Sequence, residues 1–254
     1  MKFPTLLGLA LAGASINTHA DTVLGVYAGA QVWYAETDGT FFDETSSDLQ
    51  IQGFNFDDET QGSFYVAFEH FAPLIPNVKI NHTQLATSGT TELSSAFTFN
   101  NEVFDIDASV FTDVDIATTD FILYYEIFDN DLFSIDLGLN GKRIAGDLII
   151  TDDVSGLQSE ESFSGIIPLL YSRVEFNLPF SGVGVYAEGN YIDIDGNALS
   201  DFQAGIKYDV IRSLGLDLTL QAGYRDISIE LDDVDNISSD LSFSGLYAGV
   251  EIHF

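Results

Sequence analysis

The chain has no cysteine, one tryptophan, one methionine, five prolines and four histidines, and only eight of its 254 residues are lysine or arginine, against 40 aspartates and glutamates. The missing thiols exclude a disulfide framework and a thiolate metal site. So few bases exclude nucleic acid as a partner, because a surface this acidic repels a phosphate backbone. Past the first 20 residues no apolar run approaches the roughly 18 residues that a membrane-spanning helix needs. So acidic a composition would suit a disordered chain, but 46% apolar residues, with 21 Phe and 11 Tyr, do not. Acid and apolar surface must therefore be segregated along the sequence.

The first 20 residues are expected to be removed. Lys2, the apolar stretch Leu6 to Gly13 and the small-x-Ala site Thr18-His19-Ala20 are the parts of a secretory signal peptide, implying Sec export and a mature domain over 21–254. Without Lys2 that domain carries 7 bases against 40 acids, a formal charge of 7 − 40 = −33.

Within it, period-2 alternation recurs in ten segments: 23–34, 62–71, 77–86, 118–128, 132–143, 166–178, 183–192, 200–210, 214–226 and 243–254. In the fourth, Phe121, Leu123, Tyr125 and Ile127 alternate with Asp120, Ile122, Tyr124 and Glu126. Each segment is about the 9–11 residues that a tilted strand needs to cross a bilayer, and apolar on one side only. Tight turns at Pro73–Pro76, Asp129–Asp131, Pro179–Gly182 and Ile211–Ser213 alternate with mostly longer, polar connections at 35–61, 87–117, 144–165, 193–199 and 227–242. A soluble sandwich has no reason to sort its loops by length, whereas an up-and-down barrel in an outer membrane has. The expected fold is a closed antiparallel transmembrane β-barrel of about ten strands, with eight or twelve as alternatives. Twelve would result if 90–111, which reads as a hairpin turning at Asn100-Asn101, entered the membrane. Glu92, Asp105 and Asp107 break its apolar runs and argue that it stands above.

Charge follows the same partition. The five longer connections hold 26 of the 40 acids and no Lys or Arg. Lys79, Lys142, Arg173, Lys207 and Arg225 fall in the inward phase, with Glu69, Asp120, Glu126, Asp136, Glu175, Glu188, Asp217 and Glu251. A bilayer enforces this, since a base at its midplane costs about 2–4 kcal/mol. The outward phase places Tyr34, Phe64, Phe121, Tyr191, Phe202 and Tyr224 toward the outer rim, and Phe133, Phe176, Tyr208 and Phe254 toward the inner rim, as two aromatic girdles.

The last strand, with Tyr247, Gly249, Ile252 and the terminal Phe254, resembles the C-terminal signal of outer-membrane barrels, which implies recognition by the barrel-assembly machinery. More widely, Asp21-Thr22-Val23-Leu24-Gly25-Val26-Tyr27, Leu123-Tyr124-Tyr125-Glu126-Ile127, Leu137-Gly138-Leu139 and Tyr186-Ala187-Glu188-Gly189-Asn190-Tyr191 resemble a family of small outer-membrane β-barrel proteins of Gram-negative bacteria. That resemblance implies a fold and a location but no reaction, cofactor or ligand.

A catalytic reading finds little support. Histidine is the usual general base, and the mature domain has only His70, His82 and His253. His70 and His253 fall near the inner ends of their segments. His82 falls in the lipid-facing phase, where its neighbour Thr83 points the other way and no acid of the same phase orients the ring. The acidic runs Asp57-Asp58-Glu59, Asp152-Asp153 and Asp232-Asp233-Val234-Asp235 match no calcium loop. They read as solvated surface, or as sites where divalent ions bridge the loops to lipopolysaccharide phosphates. Inward Tyr27, Trp33, Tyr65, Tyr124, Tyr171, Tyr186 and Tyr247 add bulk to a ten-strand lumen already near the side-chain-filled limit. The expectation is a plugged barrel with a structural or surface-interaction role. The alternative is a narrow, cation-preferring channel, with enzyme and adhesin roles further behind.

Overall fold

The computed structural model describes residues 24–43, 52–100, 102–130, 132–194, 196–213, 215–234 and 237–254. The predicted leader, 1–20, lies outside them. Ten strands close a barrel: β1 (Leu24–Asp43), β3 (Glu59–His70), β4 (Asn77–Glu92), β7 (Ser109–Asp129), β8 (Phe133–Asp152), β9 (Gln158–Asn177), β10 (Val183–Ile194), β11 (Asn197–Ile211), β12 (Asp217–Val234) and β13 (Ile237–His253). Every neighbouring pair is antiparallel, and β13 returns to β1, so the ring of ten strands is closed. A short β2 (Gln52–Asn55) pairs with the outer part of β1. The predicted hairpin forms as β5 (Phe97–Phe99) and β6 (Glu102–Phe104), with Asn100 at a left-handed φ of 46°. It is a separate two-stranded sheet, which settles the count at ten rather than eight or twelve.

The inner ends of the strands fall within three residues of the sequence reading, but seven of the ten outer ends, all but those of β3, β10 and β11, do not. β7 begins at Ser109 rather than 118, β8 runs to Asp152 rather than 143, and β12 runs to Val234 rather than 226. Much of what reads as acidic loop is therefore strand. The cause is a reversal of amphipathicity along the longer strands. In β7, below Thr118, the exposed side is Phe121, Leu123 and Tyr125, while Asp120, Ile122 and Tyr124 are buried. Above it the exposed residues include Asp113 and Asp115, while Val110, Thr112, Val114 and Ile116 are buried. β8 does the same, from exposed Leu137 and Leu139 over buried Asp136, Asn140 and Lys142 to exposed Asp147 over buried Ile144, Leu148 and Ile150. The lower part faces lipid around a polar lumen. The upper part faces water around an apolar core, which for β7 adds about eight residues, or roughly 25 Å of strand, beyond the lipid belt.

The upper core gathers Trp33, Leu85, Val114, Ile144, Leu199 and Phe243 from the barrel wall, with Phe54 of β2 and Phe99 and Phe104 of the hairpin packed among them. Phe104 and Phe243 are 0% exposed, so no water-filled channel passes beside them. Close strand approach here requires glycine: a Cβ on Gly245 would sit 1.9 Å from the Tyr34 carbonyl oxygen, and one on Gly89 1.8 Å from that of Asn55.

The predicted girdles lie on the outside: Tyr34, Phe64, Phe121, Tyr191, Phe202 and Tyr224 are 45–58% exposed, as are Tyr208 and Phe254 of the inner ring at 52% and 53%. Phe254 also closes the ladder, exchanging backbone hydrogen bonds with Val26 at 2.9 and 3.2 Å. Deleting Phe254 removes an anchor and the last closing pair at once. The level of folded, surface-exposed protein should fall several-fold, measured by the gel mobility of unboiled membrane samples. Unchanged levels would remove the assembly signal from the reading.

Candidate functional site: the lumen

Inward side chains of the lower barrel form two ion layers. In the upper one, the Lys142 ammonium lies 2.8 Å from Asp120 and 3.0 Å from Asp201. Asp201 in turn accepts two hydrogen bonds from Arg225, from Nε to Oδ1 and from Nη2 to Oδ2, both at 3.0 Å. Arg225 reaches across to the hydroxyls of Ser63 at 3.4 Å and Thr83 at 3.3 Å. Asn140 and Asn81 donate to Asp120 at 2.6 and 3.0 Å. Two bases and two acids cancel in a layer whose charged side chains are at most 6% exposed.

The layer below is built on Glu188, which accepts from Lys79 at 2.6 Å and from Arg173 at 2.7 Å. Arg173 also meets Glu175 at 3.1 Å, and Lys207 pairs with the same carboxylate. The cations lie over aromatic faces as well: Lys79 is 4.6 Å from the Tyr65 ring centre, Arg173 4.7 Å from Tyr186, and Arg225 5.4 Å from Trp33. A cavity of about 20 Å³ lies between the layers, room for about one water molecule.

All five predicted lumen bases are brought together with Asp120, Glu175 and Glu188. The other predicted acids sit lower. Glu69, Glu126, Asp136 and Glu251 line a vestibule of about 570 Å³ that opens at the inner mouth. Tyr124 donates to Glu69 at 2.7 Å, and Tyr65 donates to Glu251. Asp217 is at the rim beside His253, 3.6 Å from its Nδ1. The residue that sequence reasoning missed is Asp201. It lies on the polar face of the eighth segment, 200–210, at that segment's outer end, and was left out of the predicted set of lumen charges. The signal was its phase, two residues before Gln203 and shared with Lys207.

The three histidines are all accounted for. His70 and His253 stand at the inner mouth, and His82 is on the outer wall with its Nδ1 3.0 Å from the Thr119 hydroxyl. Thr83 is 0% exposed and points inward. Among the described residues no group of three or more His, Asp or Glu side chains is arranged to hold a metal ion. At the outer turn, Asp152 accepts the backbone N–H groups of Val154 at 2.8 Å and Ser155 at 2.9 Å, which hold its carboxyl below the usual range.

No family model matches the chain, and neither does any curated protein sequence. Among solved structures, the outer membrane protease OmpT from Escherichia coli is 7% identical with a TM-score of 0.54, over 91% of this chain and 97% of that one. The translocator domain of the autotransporter NalP from Neisseria meningitidis is 12% identical with a TM-score of 0.47, over 92% and 89%. The first similarity is one of fold. With the closed ten-strand sheet and its apolar outer belt, it defines the class: a transmembrane β-barrel of the outer-membrane type. At 7% identity nothing catalytic is carried over to this chain.

Proposed function

We propose that this chain is exported by the Sec pathway, loses residues 1–20 and acts in the outer membrane as a closed, non-enzymatic barrel whose rigid upper part presents an acidic surface outside the cell. The single observation that carries this reading is the filled lumen: two ion layers capped by an apolar core in which Phe104 and Phe243 are wholly buried. A barrel built to conduct would not place an apolar plug of this thickness in its path. A barrel built to stand above a bilayer would need one, because its upper wall has water outside and must bury apolar surface inside. The acid-lined vestibule supports one further reading: any path opened by movement of the plug would favour cations over anions.

Two measurements on the purified barrel test this. Unboiled samples should migrate faster than boiled ones in detergent gels, because a closed hydrogen-bond ladder resists detergent. In planar bilayers the folded form should show no steady conductance. Steady cation-selective conductance would replace the plugged reading with the channel, and a soluble periplasmic protein would overturn the membrane assignment.

A further inference from the structure

The distribution of the bases leaves one of them unexplained. Of the seven in residues 21–254, five are in the lumen layers and Arg212 pairs with Asp209 beside the inner turn. Arg143 is exposed on the outer wall of β8, and its side chain makes no ion pair or hydrogen bond with any described residue. It does not stand alone. In the strand register Arg143 faces Thr119 of β7, and Thr119 faces His82 of β4. Thr119 and His82 are hydrogen-bonded at 3.0 Å, and the His82 ring leans on Phe64 with centroids 5.3 Å apart. Three adjacent strands about 4.8 Å apart thus present a guanidinium, a hydroxyl and an imidazole in one row about 10 Å wide.

The row lies where the outer face changes character. Toward the membrane centre come Ile80, Phe121 and Leu139, each 45–65% exposed and lipid-facing. Away from it come Ala117 and Ala145, paired across the strands, with only methyl side chains. Beyond them Asp115 and Asp147 face each other, held by Gln84 and by Ser162 at 2.6 Å. A soluble anion approaching from outside would have to pass these carboxylates. A lipid arrives sideways, with its acyl chains against the apolar rows, its phosphate level with Arg143 and its headgroup beside the acids.

We infer that the His82–Thr119–Arg143 row binds a phosphate of a phosphorylated glycolipid in the outer leaflet, with Arg143 as the bidentate anchor. A sugar headgroup fits because its ring hydroxyls can donate to Asp115 and Asp147 while its phosphate lies level with Arg143. This rests on the outer-membrane reading, but replaces ion-bridged loops with a direct contact.

The test is retention of lipid by the refolded full-length mature barrel, read by native mass spectrometry after exposure to bisphosphorylated lipid A, its dephosphorylated form or phosphatidylglycerol. The wild type should retain bisphosphorylated lipid A about tenfold better than Arg143→Ala, with Arg143→Lys between them and Arg212→Ala unchanged. Removing the phosphates should abolish the difference. Equal retention by wild type and Arg143→Ala would overturn the site. Phosphatidylglycerol lost in parallel on Arg143→Ala would overturn the glycolipid, and displacement by millimolar inorganic phosphate would make the site one for free phosphate instead. Gel mobility and conductance of the same samples do not depend on Arg143, so failure of the barrel reading would be seen separately.

Discussion

Asp201→Ala should destabilise the barrel by about 3–5 kcal/mol, the range for removing one partner of a buried ion pair and leaving the other charged. Asp201 neutralises two cations at once, Lys142 at 3.0 Å and Arg225 through two hydrogen bonds. Its loss leaves Lys142 with Asp120 alone and Arg225 with only the Ser63 and Thr83 hydroxyls and the Trp33 ring. Asp201→Asn, which keeps shape and acceptor capacity on one atom, should cost less. The urea midpoint of the barrel folded in lipid vesicles, followed by tryptophan fluorescence, measures this directly because the single tryptophan, Trp33, lies beside Arg225. Glu126→Ala is the contrasting substitution. Its carboxylate opens on the inner vestibule and is in no ion pair among the described residues, so its removal should leave the midpoint near the wild-type value. Equal effects at Asp201 and Glu126 would mean that the ion layers contribute no more than the vestibule.

The contrast between these two residues also marks where the sequence stopped being informative. Inward phase was readable for both, because lipid forces period 2 on every segment that crosses it. Depth was not. Alternation places a side chain inside the lumen but does not say whether the partner across the barrel is a base or open water, since that depends on the stagger of strands as far apart as β4, β8 and β12. Lys142 and Arg225 were legible as lumen bases, and their shared dependence on Asp201 was not. The inner strand ends were legible for a related reason: Pro73–Pro76 and Pro179–Gly182 stop the strands where the lipid belt stops. At the outer ends no proline stands. Val110, Val114 and Ile116 alternate with Asp113 and Asp115 as cleanly as the membrane segment does, but with the apolar face turned to the other side, and the acids made a strand look like a loop. Arg143 was visible as a base outside the inward set. That Thr119 and His82 flank it was a matter of register, which only the closed sheet fixes.

The reversal of amphipathicity carries the last prediction, in which one substitution is moved along β7 and changes its consequence twice. Leu123→Arg puts a charge on the lipid-facing side, 50% exposed in the absence of lipid, and should cost about 2–4 kcal/mol, as arginine does near a bilayer midplane. Asp115→Arg uses the same outward phase eight residues higher, where the wall faces water. It should change stability by at most about 1 kcal/mol, while losing the contact with Gln84 and relieving the repulsion of Asp147. Val114→Arg, one residue away from Asp115, turns the charge into the apolar core, where Val114 is 2% exposed and nothing nearby in the cluster is charged. It should cost at least about 3 kcal/mol, since both the desolvation of an unpaired guanidinium and the overpacking of the core oppose it. If the upper strands were a membrane segment, positions 114 and 115 would exchange roles: the inward arginine would find a polar lumen, and the outward one would meet lipid. The order of urea midpoints expected from the observed burial is wild type and Asp115→Arg highest, with Leu123→Arg and Val114→Arg both well below. A lower midpoint for Asp115→Arg than for Val114→Arg would place the bilayer around the wrong half of the barrel. That result would also remove the physical basis for the closed upper core, because a core of buried valine, isoleucine and phenylalanine is favoured there only while water wets the outside of the wall.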